Sequence, residues 1–322
     1  MRWASSASTP TATSRRPTAR RSRTFSSTSL KRNTGRCPEM TAQANYSDVV
    51  QTAREYYNSE DADNFYFHVW GGEDIHIGLY QGPEDAIKDA SARTVAFMAE
   101  RIADKLSAPG ARLVDLGAGY GGAARWLAKR YGCQVLALNL SEAENARDRQ
   151  MNREQGVDNL IDVVDGSFEA VPAENTSFDA AWSQDAILHS GHRDKVMDEV
   201  DRVLKPGGEF VFTDPMQADD CPEGVLQPVL DRIHLSSLGS FAFYREQARR
   251  LGWEEVAIVD MTEQLVNHYG RVASVLRGER AALAGKVSEA YIDRMLQGLQ
   301  HWVDAGSNGY LAWGVMHFRK PA

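Results

Sequence analysis

The segment 113–122, which reads Leu-Val-Asp-Leu-Gly-Ala-Gly-Tyr-Gly-Gly, constrains the fold of this chain more than any other. An apolar run ends in the acid Asp115 and passes at once into a glycine-rich turn. This order is typical of a buried strand that runs into a loop on which a ligand can lie against bare backbone. The segment therefore predicts an open α/β fold with a ligand site at the carboxyl end of its first strand.

The spacing of the glycines alone leaves two classes of ligand open. Gly117, Gly119 and Gly122 match the dinucleotide pattern G-x-G-x-x-G, whereas Gly117, Gly119 and Gly121 match the tighter pattern D-x-G-x-G-x-G. The acid favours the second pattern, because a carboxylate at Asp115 would repel a pyrophosphate and attract a cationic amino-acid tail. S-adenosylmethionine has such a tail and no phosphate, so the segment favours a methyltransferase and disfavours a dehydrogenase.

Strands and helices alternate regularly after residue 110, which predicts a parallel sheet covered on both faces. Beyond residue 214 an irregular insert, more helices and two further strands follow. We therefore expect an α/β, Rossmann-like fold with a seven-stranded mostly parallel sheet, helices on both faces and a helical cap. The predicted strands are 112–116, 134–139, 161–165, 178–183, 209–213, 254–259 and 310–318; the predicted helices are 47–57, 86–105, 121–131, 141–155, 194–204 and 243–251, with a helical insert over 263–304.

Composition divides the chain into three parts. Residues 1–39 contain nine Lys or Arg, one acid, fifteen Ser or Thr and no periodic apolar face, which predicts a disordered tail. Such a tail has two explanations: a translation start assigned upstream of Met40, or an organelle transit peptide. Residues 40–110 are interpreted as a helical lead-in with an aromatic lid over substrate and cofactor, and residues 111–322 as the binding domain.

The charge and the cysteines exclude several kinds of partner. The tail carries a net charge of +8 and the whole chain −8, so residues 40–322 carry −16, a poor match for nucleic acid or an anionic membrane. No apolar run is long enough to span a bilayer, and the three scattered cysteines give no metal or disulfide spacing. We expect a cytoplasmic enzyme that acts on small molecules and binds no metal, and import into an organelle is the alternative location. The oligomeric state of the chain stays open.

The ends of the next strands supply the other candidate cofactor contacts. Asn139 stands where an acid usually meets a ribose, and an amide can still bond hydroxyl groups. Asp165 can accept from the adenine amino group and Phe168 can cover the ring, although an Asp there can also simply cap the next turn. The helix after Asn139 opens with the capping box Ser141-Glu142-Ala143-Glu144. The predicted cofactor set is Asp115, Gly117, Gly119, Gly121, Asn139, Leu140, Asp165, Gly166, Ser167, Phe168 and Gln184.

With these residues in place, the chain resembles the sarcosine/dimethylglycine N-methyltransferases, which make glycine betaine, across 40–320. The glycine loop is common to many methyltransferases, whereas the stretches around His189 and Arg232 are more particular. The resemblance implies S-adenosylmethionine as cofactor and sarcosine and dimethylglycine as substrates. The segments that carry it are 67–78 (Phe-His-Val-Trp-Gly-Gly-Glu-Asp-Ile-His-Ile-Gly), 116–122, 182–190 (Trp-Ser-Gln-Asp-Ala-Ile-Leu-His-Ser), 212–217 (Phe-Thr-Asp-Pro-Met-Gln) and 230–240 (Leu-Asp-Arg-Ile-His-Leu-Ser-Ser-Leu-Gly-Ser).

Segments 67–78 and 182–190 are also similar to the phosphoethanolamine methyltransferases. In that family a histidine that matches His189 and a tyrosine ahead of the tryptophan-glycine segment are implicated at the reacting centre. The resemblance thus implies catalytic roles for His189 and for Tyr57, with Tyr56 as the alternative. His189 would accept the proton of the substrate amine, directly or through water, or would only position the substrate.

The chemistry of the substrate suggests further contacts. Aromatic faces hold quaternary ammonium groups, at about 0.5–2 kcal/mol for each contact, and we assign Trp70 and Tyr80 to this role. Arg232 could clamp a substrate carboxylate, or could instead form an ion pair with Asp231. Further aromatic candidates are Tyr66, Phe67, Trp302 and Trp313.

Two other functions stay open. One is methyl transfer to a different small acceptor, such as phosphoethanolamine or a prenylated quinol, although a phosphate would call for more basic residues than the cap supplies. The other is a regulator that binds S-adenosylmethionine without turnover, against which the presence of Asp115, Asp165 and His189 speaks.

Overall fold

The structure, a computed structural model, describes residues 48–70 and 72–322. The predicted tail 1–39 and the predicted start at Met40 lie outside these residues. The strands are β1 Arg112–Leu116, β2 Gln134–Asn139, β3 Ile161–Asp165, β4 Phe178–Gln184, β5 Leu204–Thr213, β6 Met216–Gln217, β7 Glu254–Asp260, β8 Leu311–Ala312 and β9 Gly314–Arg319. The helices are α1 Asp48–Tyr57, α2 Glu60–Phe65, α3 Ile87–Arg101, α4 Ala103–Leu106, α5 Gly122–Tyr131, α6 Glu142–Glu154, α7 Arg193–Val203, α8 Gln227–Arg232, α9 Phe241–Arg250, α10 Thr262–Glu279 and α11 Glu289–Ser307; a π-helical turn, Tyr66–Trp70, follows α2, and a 3-10 turn spans Ile187–His189.

Within the described part of the chain, seven strands form one sheet in the order β3-β2-β1-β4-β5-β9-β7. The pairings from β3 to β5 are parallel, and β9 runs antiparallel to both β5 and β7. The predicted seven-stranded, mostly parallel sheet is confirmed. Because parallel strands end at one edge, the carboxyl ends of β1, β2 and β4 lie side by side there, beneath the cap.

The structure corrects the sequence prediction in the second half of the sheet. Strand β5 starts at Leu204, which pairs with Phe178, although Pro206 and the two following glycines were expected to separate helix from strand. A shift of register between Phe178 and Ala180 accommodates this irregular stretch, as a β-bulge does. The predicted last strand is divided at Trp313 into β8, which pairs with β6, and β9, which joins the main sheet.

The helical insert predicted over 263–304 consists of two helices, α10 and α11, joined by residues 280–288. These helices pack against each other and against the π-helical turn, above the carboxyl edge of the sheet. No helix of residues 48–70 and 72–322 has the length and apolar character needed to cross a membrane.

The described residues bury three apolar clusters. Two of them cover the two faces of the sheet, and the third lies between the cap helices and the α2 segment, so the sheet edge is enclosed from above. The face toward α3 and α5 includes Leu113, Val135, Trp182 and Val211; the face toward α7 and α9 includes Val114, Phe210, Phe212 and Tyr244; the cap cluster includes Phe65, Trp70, Leu265, Ile292 and Trp302.

Candidate functional site

Two adjoining cavities open among the described residues at the carboxyl edge of the sheet. They share one wall, formed by Tyr57, Ile75, Asp185 and His189. The sheet-end cavity, about 590 Å³ including its mouth, is further lined by Gly117, Gly119, Asn139, Leu140, Ser141, Glu144, Phe168, Gln184 and Ala186. The cap cavity, about 790 Å³ including its mouth, is further lined by Thr52, Tyr56, Tyr66, Trp70, His76, Ile77, Leu188, Pro215, Arg232, Ile233, His234, Tyr269, Met295, Gly298, Leu299 and Trp302.

The glycine turn presents bare backbone to the sheet-end cavity. Gly117, Gly119 and Gly121 have φ angles of 79°, 55° and 74°, in the left-handed region that favours glycine. A Cβ atom at Gly117 would collide with the side chain of Ala186, and one at Gly121 with the carboxylate of Asp148. Gly117 and Gly119 line the cavity, whereas Gly121 shapes the turn without reaching the wall.

Asp115, one residue before the end of β1, is a buried acid with an exposed fraction of 3%. Burial and the nearby charge of Asp148 raise the pKa of its carboxyl group to about 8, and His76 opposes this shift. Its carboxylate accepts no hydrogen bond from any residue of 48–70 or 72–322. Asp115 lies behind the cavity wall, and a cationic group close to the turn would compensate its burial.

Gln184, the last residue of β4, offers an unused donor at the wall of the sheet-end cavity. Its side-chain oxygen accepts from the indole nitrogen of Trp182 at 3.0 Å. Its buried Nε2 has no hydrogen-bond partner in the described part of the chain. A buried amide donor without a partner costs about 1–3 kcal/mol, which a bound acceptor would recover.

An acid missed by the sequence prediction joins Asn139 in this cavity. The amide of Asn139 donates to Glu144 Oε2 at 2.8 Å, and burial raises the pKa of the Glu144 carboxyl group to about 7. Glu144 was recognised only as part of a capping box, in which its backbone nitrogen indeed bonds Ser141 Oγ at 3.2 Å. Its side chain turns to the strand end instead of back to the helix start. The capping signal therefore predicted the start of the helix but not the contact between Glu144 and Asn139.

The residues at and just after the end of β3 are placed differently from one another. Phe168 is buried and lines the sheet-end cavity beside Gly117. Asp165 is half-exposed, and its carboxylate accepts from Asn145 at 2.5 Å and pairs with Arg149 at 3.2 Å. Asp165, Gly166 and Ser167 lie outside the wall, so contact of Asp165 with an adenine amino group stays a prediction.

The two predicted catalytic residues are in direct contact. The hydroxyl group of Tyr57 lies 2.9 Å from His189 Nε2, and the two rings meet edge to face. Burial, together with the positive charges of Arg193 and Arg232, lowers the pKa of His189 to about 4. The imidazole is therefore neutral at neutral pH, when it can accept a proton or a hydrogen bond. The hydroxyl group of Tyr56 instead contacts those of Tyr66 and Tyr291, so the structure brings Tyr57 and not Tyr56 to His189.

Arg232 lines the cap cavity and forms no ion pair with any described residue. Its NH2 group lies 3.4 Å from the hydroxyl oxygen of Tyr56 and also contacts the sulfur of Met295. The alternative partner Asp231 instead accepts from Gln227 at 2.6 Å. The guanidinium therefore faces a cavity without a carboxylate to neutralise it.

The predicted aromatic contacts divide between the cavity and the core. Trp70, Tyr66 and Trp302 line the cap cavity, whereas Phe67 does not. Tyr80 lies in neither cavity wall, since its hydroxyl group bonds His268 Nδ1 at 2.9 Å. The core residue Trp313 donates its indole N–H to Asp185 at 2.8 Å.

Asp185, which the sequence prediction did not single out, belongs to the wall of both cavities. Its φ angle of 52° lies in the left-handed region, which Asp tolerates better than most residues. Its carboxylate accepts from the backbone nitrogen of Ile77 at 2.6 Å and from Trp313 at 2.8 Å. It thus ties segment 72–79 and the cap to the end of β4. The signal in the sequence that could have identified Asp185 is its position as an acid directly after a buried strand.

Comparisons with known proteins show the family to which the chain belongs. A family model described as a methyltransferase domain matches residues 114–212. The sarcosine/dimethylglycine N-methyltransferase of Halorhodospira halochloris is 59% identical over 85% of this chain and 98% of its own length. The chain belongs to the sarcosine/dimethylglycine N-methyltransferase family. The enzyme of the same name from Aphanothece halophytica is 56% identical, over 85% and 98% of the two chains. The crystal structure of a proposed sarcosine dimethylglycine methyltransferase from Galdieria sulphuraria is 42% identical, with a TM-score of 0.78 over 83% and 99%.

In this member of the sarcosine/dimethylglycine N-methyltransferase family, the segments that carried the resemblance converge on the two cavities. Segment 182–190 supplies Gln184 and His189, and segment 230–240 supplies Arg232. Segment 67–78 supplies Trp70, Ile75, His76 and Ile77 to the wall of the cap cavity. The family resemblance and the geometry thus select the same part of the molecule.

Proposed function

We propose that the chain transfers methyl groups from S-adenosylmethionine to sarcosine and to dimethylglycine, yielding dimethylglycine and glycine betaine. The observation that carries this proposal is the unpaired guanidinium of Arg232 in an aromatic cavity that shares His189 with the sheet-end cavity. An amino acid with an N-methylated amine needs both features, a cation for its carboxylate and aromatic faces for its nitrogen. The names of the relatives from Halorhodospira halochloris and Aphanothece halophytica support the same substrates.

The sheet-end cavity fits S-adenosylmethionine. The uncompensated carboxylate of Asp115 would hold the cationic amino group, and the unused Nε2 of Gln184 would serve an acceptor of the same tail. Asn139 and Glu144 would bind ribose hydroxyl groups, and Phe168 would cover the adenine. When bound, the sulfonium supplies an electrophilic methyl group. The buried acids Asp115 and Glu144 offer no compensating positive charge to a pyrophosphate at the same place.

The cap cavity would hold the second substrate. Arg232 would bind its carboxylate, and Trp70 and Trp302 would stand beside its cationic nitrogen. The substrate carboxylate would neutralise Arg232, one of the charges that lower the pKa of His189, and the imidazole would then take up the ammonium proton, directly or through water. Tyr57 would fix the imidazole ring by its hydrogen bond. Arg232 and the aromatic side chains would aim the free nitrogen lone pair at the sheet-end cavity, where bound S-adenosylmethionine would supply the methyl group. Alignment of the reactants supplies most of the acceleration in such a transfer.

The parts of the chain would divide the work. Residues 40–110, as far as they are described, would act as a lid, because Tyr57, Trp70 and Ile75 close the shared wall or the cap cavity. Residues 111–322 would bind the cofactor and carry the cap. A cytoplasmic location would suit the scattered cysteines and the acidic composition.

Methyl transfer from labelled S-adenosylmethionine to glycine, sarcosine, dimethylglycine and phosphoethanolamine tests the proposal. The full chain should label sarcosine and dimethylglycine, with glycine betaine identified by mass spectrometry. Arg232 is the single Arg or Lys that the described residues place in the cap-cavity wall, which disfavours a phosphate. Transfer to phosphoethanolamine alone would contradict the proposal, and cofactor binding without transfer to any acceptor would indicate a regulator.

A further inference from the structure

Arg232 passes across helix α11 at a position where that helix has no side chain. A Cβ atom built on Gly298 would lie 2.5 Å from Arg232 Nε and 2.7 Å from its Cδ. Gly298 is buried in the middle of α11, and its backbone conformation is one that an alanine could adopt. Glycine is a poor helix former, and close packing of a neighbouring side chain is one reason for its place in a helix. The slot for the Arg232 side chain supplies that reason.

The far end of the Arg232 side chain is held by neutral groups. Its NH2 group lies 3.4 Å from the hydroxyl oxygen of Tyr56, and that oxygen lies 3.1 Å from Tyr291 Oη and 3.2 Å from Tyr66 Oη. Met295, one turn before Gly298 on α11, contacts the same NH2 group through its sulfur. These groups fix the plane of the guanidinium and leave its charge to be neutralised by a ligand.

We propose that Gly298 and Tyr56 are positioning residues that make the cap cavity specific for substrates with a carboxylate, by holding Arg232 in a slot across α11. This inference rests on the proposed function, in which Arg232 binds that carboxylate. A guanidinium recognises a carboxylate through two parallel N–H···O bonds, which require a defined plane and distance. A methyl group at position 298 displaces the arm that sets both.

The same turn of α1 positions two different groups. Tyr56 contacts Arg232, whereas its neighbour Tyr57 contacts His189. The end of α1 therefore fixes the distance between the carboxylate end of the substrate and its reacting nitrogen. An amine that lacks the carboxylate uses only the second contact, so loss of the slot affects it little.

Two variants test this inference, Gly298→Ala and Tyr56→Phe, with Gly278→Ala and Tyr131→Phe as matched controls. Gly278 is a helical glycine with open space around its Cβ position, and Tyr131 lies in neither cavity wall. The KM for dimethylglycine is measured together with the inhibition constant of N,N-dimethylethanolamine, which carries an uncharged hydroxymethyl group in place of the carboxylate. We expect Gly298→Ala to raise the KM at least tenfold and Tyr56→Phe several-fold. The kcat should stay within about threefold and the inhibition constant within about twofold.

Cofactor affinity and melting temperature show whether each variant is folded. If Gly298→Ala does not fold, the KM of Tyr56→Phe for dimethylglycine tests the inference alone. An unchanged KM in both variants, or an equal loss of affinity for both amines, would overturn the inference. If the unaltered protein fails to methylate dimethylglycine at all, the proposed function fails instead. The two failures are therefore distinguishable.

Discussion

At the scale of single residues, we expect Asp115 to link cofactor binding to pH. Burial raises the pKa of its carboxyl group to about 8, so the group is mostly protonated in the ligand-free protein at neutral pH. A cationic amino group binds the ionised form, and binding must therefore release a proton. We expect the affinity for S-adenosylmethionine to rise by up to about tenfold per pH unit between pH 6 and pH 7. Calorimetry in two buffers with different ionisation enthalpies measures the released proton.

The variant Asp115→Asn checks this linkage. An amide of the same shape does not titrate in this range, so the variant should bind weakly and with no proton release. Asp89, an acid in the first turn of α3, offers a matched control as Asp89→Asn, which should behave like the unaltered protein. Equal proton release from Asp115→Asn would assign the titration to a different group, such as Glu144.

His189 lies in the shared wall of the two cavities, and its imidazole is neutral at neutral pH. We expect His189→Ala to lower kcat by about 100-fold or more, as the loss of a general base does, with unchanged cofactor affinity. Tyr57→Phe removes one hydrogen bond and should lower kcat by up to about tenfold. Because the pKa of His189 is lowered to about 4, the rate should show no decline near pH 6.5 from this group. The exposed His192 serves as the control in His192→Ala, and a near-normal rate in His189→Ala would limit that residue to packing.

Sequence reasoning located the strand-end residues but not the contacts that cross the chain. Gln184 ends a buried strand and His189 follows it, and the carboxyl ends of parallel strands meet at one edge, so their position near a ligand could be predicted. The slot of Arg232 unites positions 56, 232 and 298, on three helices distant in the sequence. Nothing in local pattern relates them. Tyr80 was predicted to contact the substrate, but it lies outside the cavity walls because it bonds His268 on α10. This contact also joins residues that are distant in the sequence.

At the scale of elements, α1 is fastened to the start of α6, directly over the sheet-end cavity. Asn58 accepts from Ser141 Oγ at 2.8 Å and donates to Glu142 at 2.9 Å, while Arg54 pairs with Glu142. These contacts hold Tyr57 against the shared wall. The entry of a cofactor into this cavity therefore depends on how firmly α1 is attached.

We expect Asn58→Ala to weaken this attachment and to raise the dissociation rate of S-adenosylmethionine several-fold, with little change in melting temperature, since Asn58 is exposed. Stopped-flow displacement by S-adenosylhomocysteine measures the rate. Asn64→Ala is the matched control, because Asn64 bonds Lys286 O in the loop between α10 and α11, at 3.0 Å. Equal rates in the two variants would show that α1 does not limit cofactor release.

The boundaries of the elements could be predicted wherever local signals agreed with the sheet. The first four strands were placed almost residue by residue, since apolar runs there end at clear turn residues. β5 begins earlier than predicted because sheet pairing with Phe178 overrides the turn signal of Pro206 and its glycines. The division at Trp313 follows from a tertiary contact, the bond from its indole to Asp185, which no local pattern records.

At the scale of the whole molecule, the two cavities lie where the cap cluster meets the sheet, so a ligand there contacts both. A ligand that binds only the folded protein stabilises it by RT ln(1 + [L]/Kd), about 2.7 kcal/mol at a concentration of 100 Kd. S-adenosylhomocysteine at that concentration should therefore raise the melting temperature by roughly 5 °C or more, measured by calorimetry. NAD at the same concentration should cause no shift, because the acids Asp115 and Glu144 beside the glycine turn offer its pyrophosphate no compensating positive charge. A shift with NAD and none with S-adenosylhomocysteine would contradict the assignment of this cavity.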